Sequence, residues 1–384
     1  MLLINSEGLP FGFSASANKI RFMAHIFAQS DIDVYCLNKR KAESERKAGY
    51  DKGIRFAFFN KTIKSKNIFQ SLKNIFYAHI REFIFVKRKS KSYQKKYILI
   101  QYDWFPIFFY YWIFSKVFNL KIIVNIMEWH MAVPSNNLFE KINKYLFDTL
   151  SFKMASGAIP ISKFIQKKIY STNKYLPTFL LPAITDFELI NTIETSDHSS
   201  KDYILYCGNL GYMSVIKFII ESYSRIKIRN RYVKLLLVVN GKREDFIYLK
   251  NLINKFKVGA DVIIKNDLTF QSLISSYKNS LGLLIPLRNT NQDMARFPHK
   301  ISEYTATKRP IVTMDYGVIN DYFDKTNAYI CYKYSTHDYA KIIDSMIENP
   351  DEANAKGVEG YELGLKFLNT CSYKKTLPQF LLKI

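Results

Sequence analysis

At 384 residues the chain is long for a single core, so two domains are expected. Hydrophobic residues make up 48% and charged residues 23%, a globular balance that excludes a disordered chain. Its 56 Lys and Arg against 33 Asp and Glu leave a net charge of +23, so an anionic partner is expected: phospholipid headgroups, a polyphosphate or nucleic acid.

The excess is uneven, since between Lys39 and Lys96 18 basic residues meet 4 acidic ones. The start, MLLINSEGLPFG, lacks the basic region and the long apolar run of a signal peptide. In the first half, strands are predicted over MLLIN, IDVYCLN, IRFAFFN, YILIQYD, KIIVNIM, GAIPIS and FLLPAI, with helices between them. In NKIRFMAHIFAQ, residues Ile20, Met23, Ala24 and Phe27 share one face. In NIFQSLKNIFYAHIREFIFVK the positions Ile68, Leu72, Ile75, Phe76, His79 and Phe83 recur at helical spacing, which predicts a core-facing stripe. The greasiest stretch, Trp104 to Phe114, is about half the ~20 residues a bilayer span needs and reads as a buried helix.

After the polar linker ETSDHSSK the alternation resumes with YILYCG, KLLLVVNG, DVIIKND, LGLLIP, RPIVTMD and AYICYK. One intervening helix carries Ile216, Ile219, Ile220 and Tyr223 as its inward stripe. Apolar strands alternating with amphipathic helices predict parallel sheets covered on both faces. The expected organisation is a domain over 1–190, a linker over 191–201 and a domain over 202–384, with the last helices packing back on the first. Ligands of such sheets bind outside the carboxyl ends of the strands, in a cleft where the two domains face each other. Four scattered cysteines without a C-x-x-C or a paired His point to reduced thiols, a cytoplasmic setting and no metal site. No short-period repeat supports a solenoid.

Several segments carry chemistry. The first strand-to-helix turn, NSEGLPFGFSASAN, places Gly12 and Ser14 where an acceptor or a phosphate can approach the backbone, although it lacks G-x-G-x-x-G spacing and also reads as a plain turn. Asp31-Ile32-Asp33 matches the D-x-D of metal-diphosphate sites, but it precedes a strand and so lies at the wrong edge; it reads as structural. After KIIVNIM come Glu128, Trp129 and His130, a carboxylate, an aromatic face and an imidazole that suit a sugar; the plain alternative is a half-buried aromatic beside a capping His. Lys87, Arg88, Lys89, Lys91, Lys95 and Lys96 follow a helix rich in Phe and Ile, a pairing that suits an anionic membrane, against the alternative of a solvated face. Aromatics at core-facing periods rather than interleaved with exposed cations argue against nucleic acid.

In the second half, Cys207-Gly208-Asn209-Leu210-Gly211 ends a strand with two glycines three apart, a phosphate-approaching loop without the Lys of a P-loop. The densest segment is LGLLIPLRNTNQDMARFPHKISEYTATKRPIVT, which reads strand, polar loop, helix, strand. Pro298 suits a helix start, and Arg296, His299 and Lys300 surround that N-terminus. Glu303 shares a helix face with His299 and Lys300. A cationic rim backed by a carboxylate suits a nucleotide diphosphate, with phosphates outside and ribose hydroxyls donating to the acid. The alternative is a solvent-facing helix with an ordinary Lys–Glu pair.

FPHKISEYTATKRPIV is similar to the P-x-K-x-x-E-Y-x-A-x-x-x-P segment of retaining glycosyltransferases of the GT-B fold (glycosyltransferase family 4-like). The chain resembles that family over nearly its whole length, through the first Gly-containing loop, GAIPISKFIQKKI, LLPAITD, YILYCGNLG and the tail ENPDEANAKGVEGYELGLKFL. The resemblance implies two facing Rossmann-like domains with a cleft between them. It also implies transfer of a hexose from a UDP- or GDP-sugar to a glycan or lipid-linked acceptor in bacterial surface polysaccharide assembly. No metal and no protein nucleophile are implied; Glu303 takes the ribose, and Glu128 and His130 orient sugar or acceptor. Where the family often has an acid eight residues earlier this chain has Ala295, and where it has an Arg and a Lys it has Asn209 and Ser214. Arg288, Arg296, Lys300 and Arg309 are then the cations left for the diphosphate. Two rival readings are a nucleotide-sugar epimerase of the same architecture and a non-enzymatic protein binding anionic lipid or nucleic acid.

Overall fold

The computed structural model describes residues 1–5, 15–38, 48–60, 68–195, 202–226 and 232–384. They form two compact units, Met1–Ile184 with Thr370–Ile384, and Thr185–Asn369. The division falls at Ile184, ahead of the expected boundary at 190, and residues 196–201 of the expected linker lie outside the described residues.

The first unit runs β1 (Leu2–Asn5), α1 (Ala15–Ala28), β2 (Val34–Asn38), β3 (Ala48–Asp51), β4 (Ile54–Phe58) and α2 (Ile68–Ser90). It continues through β5 (Tyr97–Ile100), α3 (Phe105–Phe118), β6 (Lys121–Ile126), α4 (Leu138–Met154), β7 (Gly157–Pro160) and α5 (Lys163–Thr172). Its strands order β3-β4-β2-β1-β5-β6-β7 and are parallel except β3. Strands β1, β2, β5 and β7 are buried at every position, which is why they read as unbroken apolar runs. The chain steps one way from β1 to β2 and the other way through β4, β5, β6 and β7. Right-handed crossovers therefore lay α1 on one face and α2, α3 and α4 side by side on the other.

Three expectations need correction. Leu72, Ile75, Phe76 and Phe83 of α2 are exposed, and the buried side of that helix is Ala78, Glu82 and Val86. In α3 only Phe108, Tyr111, Phe114 and Ser115 are buried, while Trp104, Phe109, Ile113 and Val117 face outward. FLLPAI is an extended segment beside β7 rather than a strand: Phe179 and Leu181 donate to the carbonyls of Ala158 and Pro160, but Pro182 has no N–H to continue the ladder. Strand β3 escaped the sequence because it is a polar edge; it turns into β4 at Lys52-Gly53, both at positive φ, the geometry of a tight hairpin.

The second unit comprises α6 (Phe187–Thr192), β8 (Tyr203–Asn209), α7 (Met213–Ile226), β9 (Lys234–Asn240), α8 (Arg243–Lys255), β10 (Val262–Lys265) and α9 (Phe270–Lys278). Then follow β11 (Gly282–Ile285), α10 (Asn291–Ala295), α11 (Lys300–Thr305), β12 (Ile311–Met314), β13 (Tyr329–Cys331), α12 (Thr336–Glu348) and α13 (Pro350–Phe367). The sheet is parallel throughout, in the order β10-β9-β8-β11-β12-β13. Crossovers leave β8 and β11 in opposite directions, so a switch point opens at their carboxyl ends. The tail then re-enters the first unit as α14 (Thr376–Lys383), whose Leu377, Phe380 and Leu381 join the core of Leu2, Ile4, Ile20 and Met23.

A polar stitch holds α2 and α3 to the sheet. Asn5 donates to Tyr111 Oη (2.6 Å), and Tyr111 and Tyr110 donate to the buried carboxylate of Glu82 (2.5 and 3.0 Å). Tyr111→Phe strips one donor from Glu82 and one acceptor from Asn5, and it should cost about 1–3 kcal/mol, read from the urea midpoint of the first unit.

Candidate active site

The switch point of the second sheet gathers most of the expected donor-site residues. Past Leu205 the pairing of β8 with β11 ends, and helix α11 fills the gap. Its Tyr304 hydroxyl accepts from the Cys207 amide (2.9 Å), and its Lys300 ammonium donates to the Cys207 carbonyl. Lys300 also lies over the Tyr206 ring, 4.6 Å from the centroid. Tyr206 in turn lies along its own strand, where a Cβ on Gly208 would come within 2.5 Å of its hydroxyl, so the glycine keeps the loop close to the helix. Asn209 turns its Oδ1 back onto the Gly211 amide (2.8 Å) and shapes the single turn that leads into α7.

Glu303 stands one turn inside α11, buried, with His299 Nε2 3.8 Å from its Oε1. Burial pushes the carboxyl pKa up to about 7, and the positive charge of Lys300 only partly counters it. Burial likewise draws the Lys300 ammonium below its ordinary pKa. At neutral pH the acid thus sits at the balance between its two forms, able to accept from hydroxyl groups once ionised.

The expected cations divide. Arg288 and Arg296 are brought together by Asp293, a fully buried acid that the sequence reading passed over. Arg288 donates from Nε (2.8 Å) and Nη2 (3.2 Å) and from its own amide (2.9 Å), while Arg296 Nη2 lies 2.8 Å from Oδ1. Burial alone would raise the Asp293 pKa, but the two guanidinium groups outweigh it and hold the acid ionised. Arg288 then reaches across to Ser214 Oγ (3.1 Å) at the start of α7, the position where the resembled family has a Lys. A groove of about 440 Å³ opens there, lined by Met213, Ser214, Lys217, Asp245 and Tyr248. Lys217, one turn beyond Ser214, is a second cation that the sequence reading missed; helical spacing from Ser214 was the signal for it. Arg309 is not part of this group. It precedes β12 and donates to the Lys278 carbonyl (2.6 Å), which places it at the amino edge of the sheet. Gly12 and Ser14 lie outside the described residues.

In the first unit, His130 follows β6 and is held between two acids at that sheet's carboxyl edge. Its Nδ1 is 2.8 Å from the buried Asp148 of α4, whose other oxygen accepts from the Met131 amide (2.8 Å). Its Nε2 faces the exposed Asp103 at 3.5 Å. Burial pulls the imidazole pKa down, but Asp148, Asp103 and Glu128 together carry it above the ordinary value. Trp129 is less open than expected, stacked on Phe152 (6.3 Å) with Lys168 over its ring (5.9 Å). Asp31-Ile32-Asp33 is structural: Asp33 accepts from Tyr93 (2.9 Å) and pairs with Arg55. Among the described residues no group of three or more His, Cys, Asp or Glu is placed to hold a metal.

Asp148 accepts from His130 Nδ1, which leaves Nε2 turned toward Asp103. Asp148→Asn removes the charge that raises the imidazole, so its titration midpoint should fall by about one pH unit, followed by NMR of the ring protons. An unmoved midpoint would mean that Asp148 does not govern this ring.

Residues 191–362 match the family model described as Glycosyl transferases group 1. No curated protein matches the sequence significantly. Among solved structures the chain is similar to sucrose-phosphate synthase from Thermosynechococcus elongatus, with a TM-score of 0.79 at 14% identity over 100% of this chain and 98% of that one. It is also similar to Anabaena HepE in complex with UDP and glucose (TM-score 0.71, 11% identity, 100% and 99% covered). A third is the E. coli trehalose-6-phosphate protein bound with UDP-2-fluoro glucose (TM-score 0.68, 11% identity, 100% and 99% covered). At such identities the likeness shows the fold, which is GT-B, built of two Rossmann-like domains. The glycosyl transferases group 1 match in the second unit, set on this fold, supports a glycosyltransferase that uses a nucleotide sugar.

Proposed function

We propose that the protein transfers a hexose from a UDP- or GDP-sugar to a glycan or a lipid-linked glycan, with retention and without a metal, in bacterial surface polysaccharide assembly. The observation that carries this reading is Glu303, a buried carboxylate behind the Lys300 ammonium at the carboxyl edge of β8. Ionised, it accepts from both ribose hydroxyls. Gly208 and Gly211 let the diphosphate approach the backbone, and the positive end of the α7 dipole lies beyond them. Arg288 stands beside Ser214 and supplies the charge that the missing Lys would have carried, with Arg296 adding a second guanidinium to the pair. These cations neutralise the departing diphosphate, which is the work a metal would otherwise do. The acceptor hydroxyl attacks from the leaving-group side, so no protein nucleophile is required. In the first unit His130, steadied by Asp148, orients sugar or acceptor through Nε2, with Glu128 beside it. The similar Anabaena protein was solved with UDP and glucose, which favours UDP as the first donor nucleotide to test. The protein works on the cytoplasmic side, peripheral to an anionic membrane.

Glu303→Ala should cost about 2–3 kcal/mol of transition-state stabilisation, a roughly 30- to 160-fold fall in kcat/KM. Kinetics within about twofold of the parent, or epimerised nucleotide sugar formed from donor alone, would overturn the reading. The pH dependence has a definite sign. The folded chain keeps the Glu303 proton between the ordinary value of 4.5 and about 7, where the unfolded chain has lost it, so this group lowers stability as pH rises through that window. Donor affinity moves the other way, improving from about pH 6 to pH 8 as the carboxylate forms. Glu303→Gln should therefore raise Tm at pH 8 and flatten the pH dependence of UDP binding measured by calorimetry.

A further inference from the structure

Among the described residues, the helix layer of the first unit leaves an apolar face exposed. On α2, Phe69, Leu72, Phe76 and Ile80 fall three or four residues apart and form one stripe; Phe69 is 79% exposed and Phe76 64%. On α3, Phe109, Ile113 and Val117 form a second stripe at a spacing of four. On α4, Phe139, Ile142 and Tyr145 form a third, with Phe139 83% exposed. Because α2, α3 and α4 cover the same face of the first sheet, the three stripes look out on the same side. Monomeric proteins rarely leave so many large apolar side chains in one outer layer unless the layer is covered in use.

The charge around this face selects the cover. Lys73, Lys87 and Arg88 of α2, Lys116 of α3 and Lys141 of α4 are exposed beside the stripes. The one acid in α2 and α3 is Glu82, and it is buried under Tyr110 and Tyr111. An apolar face set among cations and lacking exposed acids on its two longest stripes is complementary to acyl chains beneath anionic headgroups. No helix among the described residues is long and apolar enough to cross a membrane.

The geometry points to the outer face of α2, α3 and α4 as a docking surface for an anionic lipid bilayer, into which Phe69, Phe76, Phe109 and Phe139 insert. This assigns a surface to the membrane partner of the proposed function and rests on that reading only for what the docked enzyme glycosylates. The stitch from Glu82 to Tyr110 and Tyr111 keeps α2 from rolling its apolar stripe inward, since turning the helix would expose a hydrogen-bonded buried acid.

The full-length protein is sedimented with vesicles of phosphatidylcholine alone, and with vesicles containing about one third phosphatidylglycerol. Binding should be at least about tenfold stronger to the anionic vesicles and should weaken with added salt. Leu72→Ser with Phe76→Ser, and separately Phe109→Ser with Ile113→Ser, should each reduce it about tenfold, while Lys87→Glu with Arg88→Glu should remove the preference for phosphatidylglycerol. UDP binding in all three variants should match the parent, which separates failure of this face from failure of the donor site. Absence of binding to either vesicle overturns the assignment. So does a dimer in equilibrium sedimentation that the Leu72→Ser and Phe76→Ser pair converts to monomer, because the cover would then be a second copy of the chain.

Discussion

The candidate site in the second unit depends on what happens to one residue where two strands part. Up to Leu205, β8 is paired on both sides; beyond it β11 falls away and the backbone of Cys207 loses that neighbour. A buried amide and carbonyl left empty would each be costly, and α11 answers both, with Tyr304 for the amide and Lys300 for the carbonyl. That double attachment fixes the height and the rotation of α11, and with them the place of Glu303. A sheet without a switch point would have satisfied Cys207 by its own ladder and left no seat for the helix. Topology and chemistry are thus linked through a single peptide.

Buried carboxylates recur as organisers in both units. Asp293 gathers two arginines, Asp148 holds one histidine, and Glu82 takes two tyrosine hydroxyls. Each acid is removed from water and matched by partners that cannot leave without stranding it. The outcome differs with the partner. Around Asp293 a net positive pair remains to face an anion, around Asp148 an imidazole keeps one nitrogen free of the pairing, and around Glu82 a helix is locked against rotation. Glu303 is the contrast: buried without an equally strong partner, it stays near neutrality in pKa.

Much of the architecture was legible because it is written in local period. Among the described residues twelve of the thirteen strands are apolar runs or alternations between polar turns, and the β8, β11 and α11 segments stand where YILYCG, LGLLIP and the P-x-K-x-x-E-Y pattern put them. Period gives a stripe but not its direction. For α2 the exposed stripe is the greasier one, and only the tyrosine partners of Glu82, far away in sequence, decide which side is inward. The same limit hid Asp148 and Asp103, which meet His130 from a helix and from a neighbouring strand end. It also hid Asp293, which looks like an ordinary loop acid until Arg288 and Arg296 fold around it. Arg309 was misplaced because sequence proximity to Glu303 hides the fact that a helix separates the two edges of a sheet.

The return of residues 370–384 to the first unit has a bearing on how the chain folds as it is made. Leu377, Phe380 and Leu381 fill the space beside Leu2, Ile4 and Ile20, and Ile384 rests where Gly157 has no side chain. Thr185 meanwhile donates its backbone N–H to the Leu368 carbonyl, so the outgoing and returning segments run side by side. On a ribosome the earlier-made half therefore waits, its core open along α1, while the later-made half can close upon itself. Order of synthesis and order of completion are reversed, and a chaperone would meet the amino-terminal half as the unfinished one.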